Sequence, residues 1–397
     1  MADALRILHV AHGWPPGDLG GTELYAASLA AAQARAGAVV TAWTPAGLSR
    51  RPLRFRETFD RAEADGSFGA ACAAARPDVV HVHHLTGASM GIPAVARAQG
   101  ARVVVTLHDA WLACARGQLV DRTGARCAGP DDARCARCLA PALWAPLPAA
   151  VADRLPLRRD LVAARRAALA RLVATVDLFL SPSRHLPARL GLPATWLPLP
   201  LLRPIPAAPA SPPGPVRFLF LGSLLPTKGP AIALEAFARL PAGAATLRIV
   251  GPSPPYDGRT TYADGVRARA AEVPGVSLLG GCPPDAVPAL FADADVLLFP
   301  STWEENSPLV LREAAAAGLR VVASDLPGVT EVLGPARGSR VEPGDAAAWR
   351  AALAAEVRRG RARDAVLASD DIDTHAGRLA EVYASLLSRR DDPRAAL

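Results

Sequence analysis

The chain has 397 residues, 51% of them hydrophobic, and a formal net charge of +7. That length suggests about two or three domains with large apolar cores. No run reaches the ~18 to 20 apolar residues of a membrane span, and the nearest stretch, Cys138 to Ala152, is broken by Pro141, Pro146 and Pro148. The modest positive charge suits an anionic ligand or membrane surface, and a solvated basic face equally well.

Met1 runs directly into Leu5–Ala11, which reads as a strand and not as the apolar core of a leader. The protein is therefore expected to be cytoplasmic, where disulfides are rare. Further strands are predicted over Ala38–Trp43, Asp78–His83, Arg102–Leu107 and Asp177–Ser181, and helices over Gly21–Ala36 and Leu157–Ala174. These strands are short continuous apolar runs, as in a parallel sheet covered on both faces. A glycine-rich loop, His12 to Glu23, lies between the first strand and helix; its Gly20–Gly21 pair would suit a close backbone approach or simply a turn. His81, His83 and His84 end the third strand. His108 follows the fourth, where strand-end groups meet ligands in such folds, although a buried histidine without a role is the competing reading.

Cys114, Cys127, Cys135 and Cys138 crowd one segment, 114–138, spaced C-x12-C-x7-C-x2-C. A structural zinc, unlinked thiols and disulfides all remain open; one C-x2-C knuckle is half of a usual zinc ribbon. Trp144 and then Arg154, Arg158, Arg159, Arg165 and Arg166 follow. If the helix began early enough, Arg154, Arg158 and Arg165 would share a face that could meet an anionic membrane or merely water.

Residues 203–215 are dense in proline and small residues, a semi-rigid linker composition. A second alternating series follows, with strands Val216–Leu221, Thr246–Val250, Val276–Leu279, Val296–Phe299, Arg320–Ala323 and Ser339–Val341 and a last helix Asp373–Arg389. Two such halves predict an α/β chain of two doubly wound, Rossmann-like domains facing each other across a deep cleft. We place the first domain at 1–205, the second at 206–375, and a helix with tail at 376–397 that packs back on the first.

Forty-four residues are Lys or Arg, yet Lys228, in Gly222-Ser-Leu-Leu-Pro-Thr-Lys-Gly229, is the one lysine. A compact point charge between a strand and a helix suits a phosphate, although a leftover lysine must sit somewhere. The one asparagine is Asn306, in Pro300-Ser-Thr-Trp-Glu-Glu-Asn-Ser-Pro-Leu-Val-Leu-Arg-Glu313. A helix starting near Ser307-Pro308, with Pro308 at its first position, would aim the N–H groups of Ser307 to Val310 at an anion. Glu305 and Glu313 would address one pocket from two heights.

The Glu305-x7-Glu313 segment, with Ala-Gly318-Leu-Arg-Val-Val-Ala-Ser-Asp325 after it, resembles the retaining glycosyltransferases of the family-4 type (glycosyl transferases group 1), which have the GT-B fold. The segments Leu221–Gly229, Val276–Gly280, Ala294–Ser301 and His12–Glu23 extend the resemblance over roughly residues 5–335. It implies transfer of a sugar from a nucleotide-diphosphate donor (UDP or GDP among the candidates) to a hydroxyl of a glycan, lipid-linked or small-molecule acceptor, as in polysaccharide biosynthesis, with retention of configuration and no cofactor for catalysis. By the same resemblance Glu313 holds the ribose, Glu305 contacts the donor sugar near the reacting carbon, and Lys228 neutralises the diphosphate. The backbone of Asn306, Ser307, Pro308, Leu309 and Val310 binds phosphate and sugar. Gly20 and Gly21 approach the diphosphate, Gly222, Ser223 and Gly251 line the donor site, and His108 faces sugar and acceptor. Many relatives carry Arg where this chain has Ser223, so one phosphate contact is missing or comes from elsewhere. A sugar-nucleotide epimerase of the same shape is the alternative enzyme, and a zinc or nucleic-acid module the alternative outside catalysis. Aromatic interleaving suited to nucleic acid is absent, so no nucleic acid is expected; peripheral contact with the inner face of an anionic membrane stays open beside a basic face in water.

Overall fold

The computed structural model describes residues 4–48, 55–121, 123–143, 151, 157–209 and 212–388. Two six-stranded sheets, every pairing parallel, carry the fold. The first runs β2-β1-β3-β4-β5-β6, from β1 (Arg6–Val10), β2 (Val39–Trp43), β3 (Val79–Val82), β4 (Arg102–Thr106), β5 (Leu178–Ser181) and β6 (Thr195–Trp196). The second runs β12-β11-β10-β7-β8-β9. Its strands are β7 (Val216–Leu221), β8 (Ala245–Val250), β9 (Val276–Leu278), β10 (Val296–Phe299), β11 (Arg320–Ser324) and β12 (Ser339–Val341). Each order reverses direction beside its first strand, and that switch opens a crevice at the carboxyl ends.

Burial explains why the strands read as apolar runs. All of β3, β10 and β11 is buried, because helices cover both faces of each sheet. One strand, β6, escaped the sequence reading. It is two exposed residues at the sheet edge, Thr195 and Trp196, paired to Leu180 and Ser181, and so short a piece has no periodicity to recognise.

The last helix, Ile372–Ser388, packs on the helix Gly21–Arg35 of the first half. Tyr25 Oη bonds His375 Nε2 at 2.8 Å, Tyr383 Oη bonds His81 Nδ1 at 2.6 Å, and Arg35 meets Asp373 at 2.6 Å. The chain thus returns to its first sheet after completing the second.

The predicted basic face is corrected. The helix begins at Arg159 instead of Leu157, and Arg165 turns inward, 7% exposed, donating to the Trp111 carbonyl. Arg158 pairs with Asp160 and Arg166 with Asp132. Trp144 and Arg154 lie outside the described residues. No described helix is long and apolar enough to cross a membrane.

Candidate active site

The carboxyl ends of the two sheets face each other, and Asn306 joins them. Its Nδ2 donates to the carbonyl of Leu107 at the end of β4 (2.6 Å), and its Oδ1 accepts from the Ser183 hydroxyl after β5. Both bonds are buried, where a lost partner is expensive. The lone asparagine is therefore an interdomain tie through its side chain. Arg116 adds a second tie, to Asp257 Oδ1 (2.6 Å) and Tyr256 Oη (2.7 Å), and Glu331 a third, accepting from the backbone N–H groups of Arg184 and His185.

On the second domain, Lys228 ends a short turn, Pro226–Lys228, after β7, and Glu305 stands in the loop after β10. Lys228 Nζ and Glu305 Oε1 are 2.6 Å apart, and the Ser301 hydroxyl donates to the same carboxylate oxygen at 2.8 Å. Glu305 is 4% exposed. The ammonium also lies 5.2 Å from the centre of the Trp303 ring, a cation–π contact. An ammonium has three donors, and Glu305 takes one, which leaves others for an incoming oxyanion. Glycines make the turn compact. Gly229 has φ +69°, and a Cβ there would strike the Pro300 carbonyl; a Cβ on Gly251 would strike the Gly222 carbonyl. The missing Cβ of Gly251 thus lets the ends of β7 and β8 approach closely. Ser223 accepts at its carbonyl from Leu225 N–H (2.8 Å) within this turn.

The helix after β10 spans Leu309–Ala316, and Pro308 caps it in an extended conformation. The sequence reading placed Pro308 one position further in; as the cap residue it sets the entry angle, and the free N–H groups at the helix start are those of Leu309 and Val310. Glu313 is 6% exposed, and Arg203 Nε lies 3.5 Å from its Oε1. Burial raises the Glu313 pKa, only partly offset by Arg203. Arg203, in the linker, was missed by sequence reasoning: nothing in a proline-rich segment marks one arginine as a site residue.

Across the cleft, Gly21 opens the first helix, and a Cβ there would lie 3.5 Å from Leu309 Cδ1. The glycine loop therefore rests on the start of the helix Leu309–Ala316. Gly20 has a different neighbour: a Cβ there would strike the Glu23 carboxylate. Glu23 holds His12 Nε2 at 2.6 Å. Burial disfavours charge on His12, but the bond to Glu23 and its charge outweigh that and raise the His12 pKa. The His12 ring lies 4.5 Å from that of His84, whose Nε2 is 3.5 Å from Asp109. His108 sits beside this group, half-buried, and burial pushes its pKa down to about 3, so the ring is neutral.

A cavity of about 470 Å³ lies between the domains, bounded by Phe55, Met90, Trp111, Leu139, Arg116 and Tyr256 among others. Its walls are mainly apolar.

The four cysteines are all free thiols, and Cys114, Cys127 and Cys135 pack on the first domain's core. Burial pushes the Cys138 thiol up to about 11. No three of their sulfurs lie within 4.8 Å of one another. Among the described residues, the one group of three or more with ligand atoms mutually within 4.8 Å is His9, His81 and His83. Their nitrogens are already engaged: His9 with His83 and Gln33, His83 with His108, and His81 with Thr106 and Tyr383. A metal there would have to break that network.

Two parallel sheets opposed across a tied cleft, with a lysine and two buried glutamates at the second sheet's carboxyl ends, define a GT-B type of protein. Residues 203–364 match the family model "Glycosyl transferases group 1" and residues 19–191 match "Glycosyltransferase Family 4". Each half of the chain thus matches a glycosyltransferase family model. Curated relatives include a D-inositol 3-phosphate glycosyltransferase of Acidothermus cellulolyticus, 35% identical over 119 residues (28% of this chain, 26% of that protein). Another is a lipopolysaccharide 1,2-N-acetylglucosaminetransferase of Salmonella typhimurium, 32% identical over 118 residues (28% and 31%). The chain thus aligns with less than a third of either protein's length. Among solved structures, sucrose-phosphate synthase from Thermosynechococcus elongatus superposes with TM-score 0.69 at 20% identity, covering 97% of this chain and 100% of that one. Anabaena HepE in complex with UDP and glucose gives 0.58 at 15%, covering 96% and 100%. These similarities establish the fold.

Proposed function

We propose that this chain moves a sugar from a nucleoside-diphosphate donor to an acceptor hydroxyl with retention of configuration. The observation that carries the reading is the Lys228–Glu305–Ser301 cluster beside the N-terminus of Leu309–Ala316, capped from across the cleft by Gly21. Lys228 and the N–H groups of Leu309 and Val310 receive the diphosphate and stabilise its charge as it leaves, the kind of preorganised electrostatics that supplies most of a rate gain. Glu313, kept near Arg203, takes the ribose hydroxyls. Glu305 orients Lys228 and reaches the sugar. Domain closure through Asn306 brings His108 to the sugar and excludes water.

The donor assignment draws support from relatives of the same fold captured with UDP and glucose or with ADP and acarbose. The acceptor side draws on the interdomain cavity. Its apolar walls favour an acceptor whose hydroxyl is carried on an apolar body, lipid-linked or aromatic, over a bare glycan.

Thermal unfolding with UDP-, GDP-, ADP- and CDP-sugars tests the reading. A ligand at 100 times its dissociation constant adds about 2.7 kcal/mol. Stabilisation by one nucleotide sugar, abolished in Lys228→Ala and Glu313→Ala, is expected. No response to any of the four would overturn it.

A further inference from the structure

A file of buried rings runs inward from His108. His108 Nε2 lies 3.2 Å from His83 Nδ1, His83 Nε2 lies 2.9 Å from His9 Nδ1, and His9 Nε2 lies 2.7 Å from the Gln33 side-chain oxygen. His9, His83 and Gln33 are 0%, 0% and 4% exposed. The file crosses β4, β3 and β1 to the first helix, and Tyr25 packs edge-on against both His83 and His108.

We infer that Gln33, through His9 and His83, fixes the tautomer of His108 and so makes it a hydrogen-bond acceptor toward the substrate. The polarity follows from the inner end. A carbonyl oxygen only accepts, so His9 must carry its proton on Nε2. Burial lowers the His9 pKa to about 4, so the ring has one proton and Nδ1 is bare. His83 must then donate from Nε2, and burial lowers its pKa as well, which leaves its Nδ1 bare. His108 must donate from Nε2, which leaves Nδ1 with the lone pair. Among the described residues no hydrogen bond claims His108 Nδ1, and the ring is partly exposed at the cleft. The atom offered to substrate is an acceptor. It takes a hydrogen bond from a sugar or acceptor hydroxyl; it has no proton to give to a departing phosphate. Gln33, His9 and His83 are positioning residues. The consequence for catalysis rests on His108 serving the transfer proposed above, whereas the tautomer itself does not.

The test reads tautomers directly. Long-range ¹⁵N–¹H correlation spectra of ¹⁵N-histidine-labelled protein, assigned with His108→Gln and His83→Gln, distinguish the two neutral forms. The wild type is expected to show His9, His83 and His108 all protonated at Nε2. His108 protonated at Nδ1 overturns the inference, and this arm needs no substrate. Gln33→Leu removes the terminal acceptor; His108 then populates both tautomers and kcat falls roughly tenfold, with the donor KM within about twofold. Gln33→Glu keeps an accepting oxygen and keeps tautomers and kcat. A His108 that stays protonated at Nε2 in Gln33→Leu, with kcat unchanged, also overturns it. Wild-type tautomers as stated, with no transfer from any nucleotide sugar, would sink the transferase reading and leave the relay standing.

Discussion

Lys228 has one neighbour that fixes it and one that shields it, Glu305 and Trp303. Removing the ammonium leaves buried Glu305 with the Ser301 hydroxyl as its donor among the described residues, and removes the cation that the proposed function sets against the diphosphate. Lys228→Ala should lower kcat/KM at least about 100-fold, the usual scale for losing a charge-stabilising donor. Lys228→Arg should not rescue it fully, because a planar fork does not replace a point charge in a turn this tight. Glu313 contrasts with it. In the proposed function it binds hydroxyls that do not react, so Glu313→Gln should raise the donor KM by roughly tenfold and leave kcat within a few-fold. Steady-state kinetics with the donor found by thermal shift checks both. Equal losses in kcat for the two variants would show that Glu313 reads the transition state and not only the ribose.

At the scale of elements, the turn between β7 and its helix is held by backbone geometry as much as by side chains. Gly229 has a positive φ and lies against the Pro300 carbonyl. Gly229→Ala should therefore cost more than about 1 kcal/mol in urea unfolding; a neutral result would mean that the turn shifts freely. Most strands were legible in the sequence because burial on both faces writes them as apolar runs, and β7, β10 and β12 were placed to the residue. The edge pair Thr195–Trp196 was not, since an exposed two-residue strand leaves no pattern. The lone Lys and the glutamate pair stood out by residue type and spacing, and the fold sets Lys228 against Glu305 and buries both glutamates. Arg203 and Gln33 did not stand out: each acts on a group distant in sequence, and only folding brings Arg203 to Glu313 and Gln33 to His9.

The whole molecule closes around neutral histidines. Burial lowers the pKa of His9 and His375 to about 4 and of His108 to about 3, and lowers His81 and His83 as well. Unfolding returns each to its ordinary value of about 6.5. Below that value the unfolded chain binds more protons, so stability rises with pH. It is complete above about pH 6.5 and is lost as pH falls toward 4, at about 1.4 kcal/mol per pH unit for each proton taken up. Urea midpoints should fall clearly between pH 7 and pH 5. A flat profile would contradict the buried neutral rings. The same closure ties the domains, and Asn306→Ala, which frees the Leu107 carbonyl and the Ser183 hydroxyl, should lower the melting temperature and raise the donor KM together.

The most direct test is the reaction itself. The chain would be incubated with each sugar nucleotide and a panel of hydroxyl acceptors on apolar bodies, and the anomeric protons followed by NMR. One nucleotide sugar should be consumed only when an acceptor is present, releasing nucleoside diphosphate and a glycoside of the donor's own anomeric configuration. Absence of diphosphate release from every donor, or an inverted product, would contradict it.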